Sequence, residues 1–341
     1  MSEFAAELRT LIDDLVSAEG GTAGDVDPLR LWERLRELGL HRVGLPEERG
    51  GSGGSLDDLV VVVEALASRG VGVPIVETSV ADWVVGHAQP LDDRLTTVVL
   101  LDTSTAPTDR GPGLPVVPWG RHAQRLVLCA PGRPAQAVDM AGAVVEPGEN
   151  LAGEPRDVVT LTGATPAELA GAPSYDAVRQ RLGLLWSAAV VGAAQGAYRL
   201  TKAYVAERRQ FGAPLLEIPA VASGVAQMRV GLAQAETALA LAREAVAAEG
   251  ETPADVNVSE SAVATARIMT AAAATDIARL AHQLHGAMGV THEYPLHHCT
   301  RRLWAWRDSV AAERQWAEEL GRQAAAAGEH GVWTRLTATA Y

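Results

Sequence analysis

A mainly α-helical chain with one short β segment is predicted by three observations. Alanine is abundant and aromatic residues make up only 4% of the 341 residues, which favours helix over sheet. Val221, Val225, Met228, Leu232, Ala235, Leu239, Ala242 and Val246 alternate steps of four and three, the 3.5 period of a helix in a bundle. Short β-prone runs with Pro and Gly between them are confined to one stretch in the middle of the chain.

Three regions follow. Residues 1–95 form an N-terminal helical domain, with Leu31, Leu35 and Leu38 marking one amphipathic helix and Leu59 to Leu66 another. The stretch Gly50-Gly51-Ser52-Gly53-Gly54-Ser55 joins them. It reads as a loop ending at an N-cap, with Ser55 capping and Asp57 and Asp58 in the first turn. A phosphate-binding P-loop is excluded because no Gly-Lys-Ser/Thr follows.

Residues 96–170 form a reduced middle β-domain, with strands expected at Thr96 to Leu101, Arg125 to Leu128 and Val158 to Leu161. A unit this small buries little core of its own, so it is expected to lean on the helices. Residues 171–341 form a C-terminal four-helix bundle. Thr252-Pro253 reads as N-cap and first residue of the helix whose buried stripe is Ile277, Leu280, Ala281 and Leu284, with Gly286 as its terminator.

The net charge of −13 argues against a nucleic-acid partner, which needs a basic footprint. Cys129 and Cys299 belong to no CxxC pair, so neither a zinc site nor a disulfide framework is expected. Acidic residues interrupt the apolar positions of the N-terminus, which is unlike a secretory leader. No apolar run approaches the roughly 20 residues of a membrane span. These features together predict a soluble, cytoplasmic protein. His292 and His297 are five apart with Pro295 between them, which breaks the four-residue helical spacing of a zinc protease motif. The His292 to His298 stretch is therefore expected to be a loop without metal. Nothing in the sequence suggests a Ser/His/Asp triad.

Two segments admit both a structural and a functional reading. Arg208-Arg209-Gln210-Phe211-Gly212-Ala213-Pro214-Leu215 can be a helix C-terminus whose arginines complement the dipole. It can equally be an anion clamp, since adjacent guanidiniums grip phosphate. Gln283-Leu284-His285-Gly286-Ala287-Met288-Gly289 can be a cap and turn, or a loop whose backbone lets a ligand approach.

Taken together these segments resemble the acyl-CoA dehydrogenase family. Gly192-Ala193-Ala194-Gln195-Gly196 and Tyr204 to Leu215 are similar to its first C-terminal-domain helix and Arg-x-Gln-Phe-Gly turn. Gln283 to Pro295 is similar to its Gln-x-x-Gly-Gly-x-Gly…Glu-x-Pro loop, and Leu45-Pro46-Glu47-Glu48-Arg49-Gly50-Gly51 to its Pro-Glu-x-x-Gly-Gly segment. The resemblance implies FAD at a subunit interface. Arg208, Gln210, Phe211, Gln283, Gly286 and Ala287 would hold the diphosphate and adenosine of the neighbour's FAD.

Departures from the family pattern shape the expected role. The middle segment lacks the family's Thr-Glu-Pro…Gly-Ser and Trp-Ile-Thr/Ser-Asn flavin-ring segments. The usual register of the catalytic glutamate gives Val310, and no acid lies between Asp176 and Glu207, where subfamilies place the base instead. Asp308 is the nearest replacement and the candidate catalytic residue. The expectation is an acyl-CoA dehydrogenase subunit in a heterotetramer whose homologous partner supplies the base, with an acyl-CoA substrate and a flavin electron acceptor. The alternatives are a homo-oligomeric enzyme using Asp308, and a flavin-free structural or binding homologue.

Overall fold

The computed structural model describes residues 4–21, 24, 26–101, 113–210, 212–249 and 256–338. The chain divides into two compact units, Met1–Leu185 and Trp186–Tyr341.

The first unit opens with four helices: α1 (Ala5–Ala18), α2 (Pro28–Glu37), α3 (Leu56–Ser68) and α4 (Ile75–Ala88). Asp27 caps α2 by accepting from the Leu29 and Arg30 N–H groups, with Pro28 at the first position. Leu31, Trp32 and Leu35 turn inward, whereas Leu38 falls at the C-cap and is exposed. The amphipathic reading of this helix therefore holds without its last member. Ser55 and Asp58 form a reciprocal capping box at α3. Ahead of it, Gly51 is required by crowding, because a Cβ there would meet the Leu45 carbonyl oxygen at 2.2 Å.

Among the described residues, the β segment of this unit has two sheets. Strands β1 (Thr96–Leu100), β3 (Arg125–Cys129), β4 (Gln136–Asp139) and β7 (Ala167–Glu168) form one, in the order β1-β3-β4-β7. Strands β2 (Gly113–Pro118), β6 (Arg156–Thr160) and β5 (Val144–Glu146) form the other, in the order β2-β6-β5. Only β1 and β3 pair in parallel; the rest of both sheets is antiparallel. Val99, Val117, Leu126, Leu128, Val138, Met140 and Val159 make a core drawn from both sheets. Helix α4 packs on β1 and β3, so this small β core leans on a helix as its size requires.

The long helix α5 (Tyr175–Glu207) begins in the first unit and continues in the second. The second unit then carries α6 (Pro219–Glu249), α7 (Val256–His285), α8 (Leu296–Trp306) and α9 (Glu313–Ala338). Val225, Met228, Leu232, Ala235, Leu239 and Ala242 are all buried, so the 3.5-period stripe is the inward face of α6, which packs along α7. Helix α7 also packs against α8 and α9. Gly286 follows α7 with φ 59 and ends it in the left-handed region. Thr252 and Pro253 lie outside the described residues. His297 and His298 are not in a loop as expected: Pro295 stands at the N-cap of α8 and both histidines belong to its first turn. No helix among the described residues is long and apolar enough to cross a membrane.

Candidate functional site

Two features of the second unit hold the site residues expected from the sequence. The first is where α5 and α7 end. The Arg208 N–H donates to the Tyr204 carbonyl at 2.8 Å as the last turn of α5 closes. A two-residue ladder follows, pairing β8 (Arg209–Gln210) with β9 (Ala213–Pro214) around Gly212 at φ 85. Arg209 is spent within this hairpin, its Nη2 donating to the Gly212 carbonyl at 2.9 Å. Arg208 is exposed and its guanidinium makes no ion pair or hydrogen bond among the described residues. Five donors in a planar fork are thus open to an anion. Gln210 is exposed beside it; Phe211 lies outside the described residues.

Gln283 is exposed in the last turn of α7, its Oε1 accepting from Arg279 Nη1 at 3.4 Å. Gly286 and Ala287 are exposed on the 3-10 turn Gly286–Val290. Two aromatic contacts draw the ends of α5 and α7 together. Tyr204 stacks on His285, with centroids 4.4 Å apart and planes at 22°. Tyr294 closes on the same ring at 4.9 Å and donates its hydroxyl to the Leu200 carbonyl at 3.3 Å. Arg208 and Gln283 are each within one turn of a member of that stack. Tyr204, His285 and Tyr294 were legible as parts of the two motifs but carried no role in them; the four-residue step from Tyr204 to Arg208 was the available signal.

His285 is 3% exposed. Its Nδ1 meets the Ala281 carbonyl at 2.8 Å, so Nδ1 holds the proton and Nε2 is a bare acceptor, buried without a partner. Burial holds its pKa below the ordinary histidine value, the hydrogen bond to Ala281 opposing and His282 assisting.

The second feature is the loop after α8. Arg267 on α7 is wholly buried. Its Nη2 donates to the carbonyls of Trp306, Arg307 and Ser309 at 3.1, 2.6 and 3.1 Å. Burial pulls its pKa down to about 10, with Asp308 opposing, so it remains charged at neutral pH. Asp308 is exposed and accepts from Arg307 Nε at 2.9 Å. Arg307 also donates to Thr275 Oγ1 at 3.0 Å and lies over the Trp304 ring at 4.6 Å. Val310 is half-buried with φ 74, a left-handed backbone that β-branched residues resist.

These two features are far apart. Sixteen residues of α7 separate Arg267 from Gln283, a distance of about 24 Å along the helix. The anion-accessible end and the loop of Asp308 are therefore distinct places on one helix. Among the described residues no group of three or more His, Cys, Asp or Glu side chains could hold a metal ion.

Comparison with known proteins gives a consistent picture. The family model described as acyl-CoA dehydrogenase, N-terminal domain, matches residues 2–89, and that of the C-terminal domain matches residues 179–307. The acyl-CoA dehydrogenase IpdE2 of Mycolicibacterium smegmatis is 27% identical over 283 residues, 79% of each chain. Among solved structures, the ChsE4-ChsE5 complex from Mycobacterium tuberculosis aligns with a TM-score of 0.80 at 21% identity, over 95% of this chain and 97% of the other. A variant of the Tcur3481-Tcur3483 steroid ACAD aligns with a TM-score of 0.79 at 23% identity, over 94% and 97%. With two models of one family covering both helical segments, and its motifs standing where α5 and α7 end, this chain belongs to the acyl-CoA dehydrogenase family, whose members are oxidoreductases acting on CH–CH bonds.

Proposed function

We propose that this chain is one subunit of an FAD-dependent acyl-CoA dehydrogenase heterotetramer, and that a homologous partner completes the active site. The observation that carries this reading is an asymmetry. Exposed donors suited to a dinucleotide stand at Arg208, Gln210 and Gln283, Gly286 and Ala287 follow Gln283 on the next turn, and the position expected for the base holds Val310.

The residues fit the phosphate end of FAD. Arg208 offers an uncommitted guanidinium to a doubly charged diphosphate. The exposed Gln283 amide adds a neutral donor for adenosine or phosphate. Bound FAD would supply the acceptor for the hydride leaving the β-carbon of the acyl thioester. The α-proton must go to an aligned carboxylate, and an aliphatic Val310 cannot take it. Asp308 is two residues away and already engaged by Arg307 at 2.9 Å. The separation of about 24 Å along α7 supports the view that the anion end serves a different flavin from the one nearest the Asp308 loop.

The solved relatives suggest the substrate. One is a complex of two named chains and the other a steroid ACAD, which favours a bulky, ring-bearing acyl-CoA. A flavin electron acceptor completes the cycle. Two free, buried cysteines suit a cytoplasmic setting.

The test is to purify the chain alone and with a homologous subunit that bears the glutamate, then measure flavin absorbance and its bleaching by acyl-CoA. The chain alone is expected to be inactive and the pair active. Arg208→Ala in the pair removes a charge-assisted contact worth roughly 1.5–3 kcal/mol, so FAD retention falls by about one to two orders of magnitude. Turnover by the chain alone, abolished in Asp308→Asn with flavin still bound, would establish a homo-oligomeric enzyme instead. A pair that never binds flavin would leave a structural or binding homologue.

A further inference from the structure

We propose that Tyr204 and His285 are positioning residues for the dinucleotide, their stacked rings setting the distance between Arg208 on α5 and Gln283 on α7. This rests on the FAD reading above and names the device by which the chain presents its share of that site.

The stack ties the last turn of α5 to the last turn of α7. Tyr204 precedes Arg208 by one helical turn and accepts its backbone N–H at 2.8 Å. His285 follows Gln283 by two residues in the same last turn. With the rings at 4.4 Å and 22°, a shift of either helix end breaks a contact that offset aromatic pairs favour. The 3-10 turn packs on the same residue: a Cβ on Gly289 would meet His285 Cβ at 2.8 Å, so the turn carrying Gly286 and Ala287 lies against the base of the His285 side chain. Tyr294 fills the remaining side at 4.9 Å and anchors itself to α5 through Leu200.

The ring works only when neutral. Its Nδ1 proton is committed to the Ala281 carbonyl, and a second proton would sit on Nε2 with no acceptor in reach. The groups around it are His282 on α7, Tyr204 on α5, and Tyr294, which itself feels Glu207. No carboxylate among its named partners pays for the extra charge. Protonation therefore opposes the stack, and the grip on the dinucleotide loosens as pH falls below the ordinary histidine range of about 6.5.

The test measures the FAD dissociation constant of the full chain in its assembled oligomer, from pH 8 to pH 5, beside the thermal melting of the same samples. His285→Ala is expected to weaken FAD about three- to tenfold without lowering the melting temperature in step. His285→Phe keeps the ring and cannot be protonated. It is expected to restore wild-type affinity at pH 8 and to remove the loss on acidification. Tyr204→Phe should behave as wild type and Tyr204→Leu as His285→Ala. Wild-type FAD affinity in both His285→Ala and Tyr204→Leu overturns the inference while leaving the flavin reading intact. So does a loss of affinity that merely tracks melting, or an acid loss that persists in His285→Phe. A wild-type oligomer that binds no FAD overturns both.

Discussion

Arg267 donates to the carbonyl oxygen of Arg307 at 2.6 Å across forty residues of sequence, and the same Nη2 reaches the carbonyls of Trp306 and Ser309. The last carbonyls of a helix have no intrahelical donor and carry the negative end of its dipole. A wholly buried guanidinium at the end of α8 satisfies both needs. Truncation in Arg267→Ala leaves three acceptors and a cavity, at a cost of about 3–5 kcal/mol. Arg267→Met fills the space but supplies no donor, and should recover less than half of that loss. Urea unfolding monitored by circular dichroism measures both; a loss below about 1 kcal/mol in Arg267→Ala would refute the capping role.

Val310 inherits a backbone that suits another residue. Its φ of 74 places a β-branched side chain in the left-handed region, which costs an L-residue roughly 1–2 kcal/mol. Asn tolerates that region far better. Val310→Asn is therefore expected to stabilise the chain by about 1 kcal/mol, because a half-buried position retains most of its contacts with a side chain of similar size. A melting temperature equal to or below that of the wild type would show that the local conformation carries no strain.

Which parts of this structure were legible follows from how local their causes are. The Ser55–Asp58 capping box and the inward face of α6 are written in short-range spacing, and both stand where the sequence places them. Strands β1 and β6 carry β-branched runs and β3 a short apolar run, Leu126-Val127-Leu128, so all three announce themselves. Strands β2, β4, β5 and β7 do not. Gly113-Leu114-Pro115 and Gln136-Ala137-Val138-Asp139 acquire strand character from their partners, β6 and β3, rather than from propensity. Pro295 breaks the helical spacing between His292 and His297, but Pro is equally at home where a helix begins, and α8 starts directly after it. Arg208 and Gln283 could be proposed from motif alone. Arg267 could not, because a single arginine between Ala266 and Ile268 looks like any surface cation until α8 is seen to end against it.

His41 and Asp82 titrate in opposition in the first unit. Their side chains are buried, with His41 Nε2 3.9 Å from Asp82 Oδ2 and Arg42 Nε 3.2 Å from the same oxygen. Burial lifts Asp82 from 3.8 to about 6 against the pull of Arg42. Burial, with Arg42 and Arg36 adding to it, lowers His41 from 6.5 to about 3. A raised carboxyl stabilises the fold below its unfolded value, and that stability is lost as pH rises through about 6. A lowered imidazole stabilises it above 6.5, and that stability is lost as pH falls through about 3. The two slopes oppose between pH 6 and 4. Relative to wild type, Asp82→Asn should therefore lose stability on acidification across this window, and His41→Gln should gain it. Urea unfolding at each pH checks the signs, and slopes of the same sign in both variants would contradict the assignment.

Leu232 lies at the centre of the α6 stripe and is 2% exposed. Met228 and Ala235 flank it on the same buried face, one turn to either side. Leu232→Glu places a carboxylate where no cation of the stripe can meet it, so the group must either stay protonated or drag water inward. Leu232→Ala loses only contacts and should cost about 2–5 kcal/mol. The Glu variant should cost more than the Ala variant at pH 7, and the gap should narrow as pH falls and the carboxyl is neutralised. Equal stability of the two variants at pH 7 would mean that Leu232 faces water, and that the 3.5-residue period of α6 has been assigned to the wrong face.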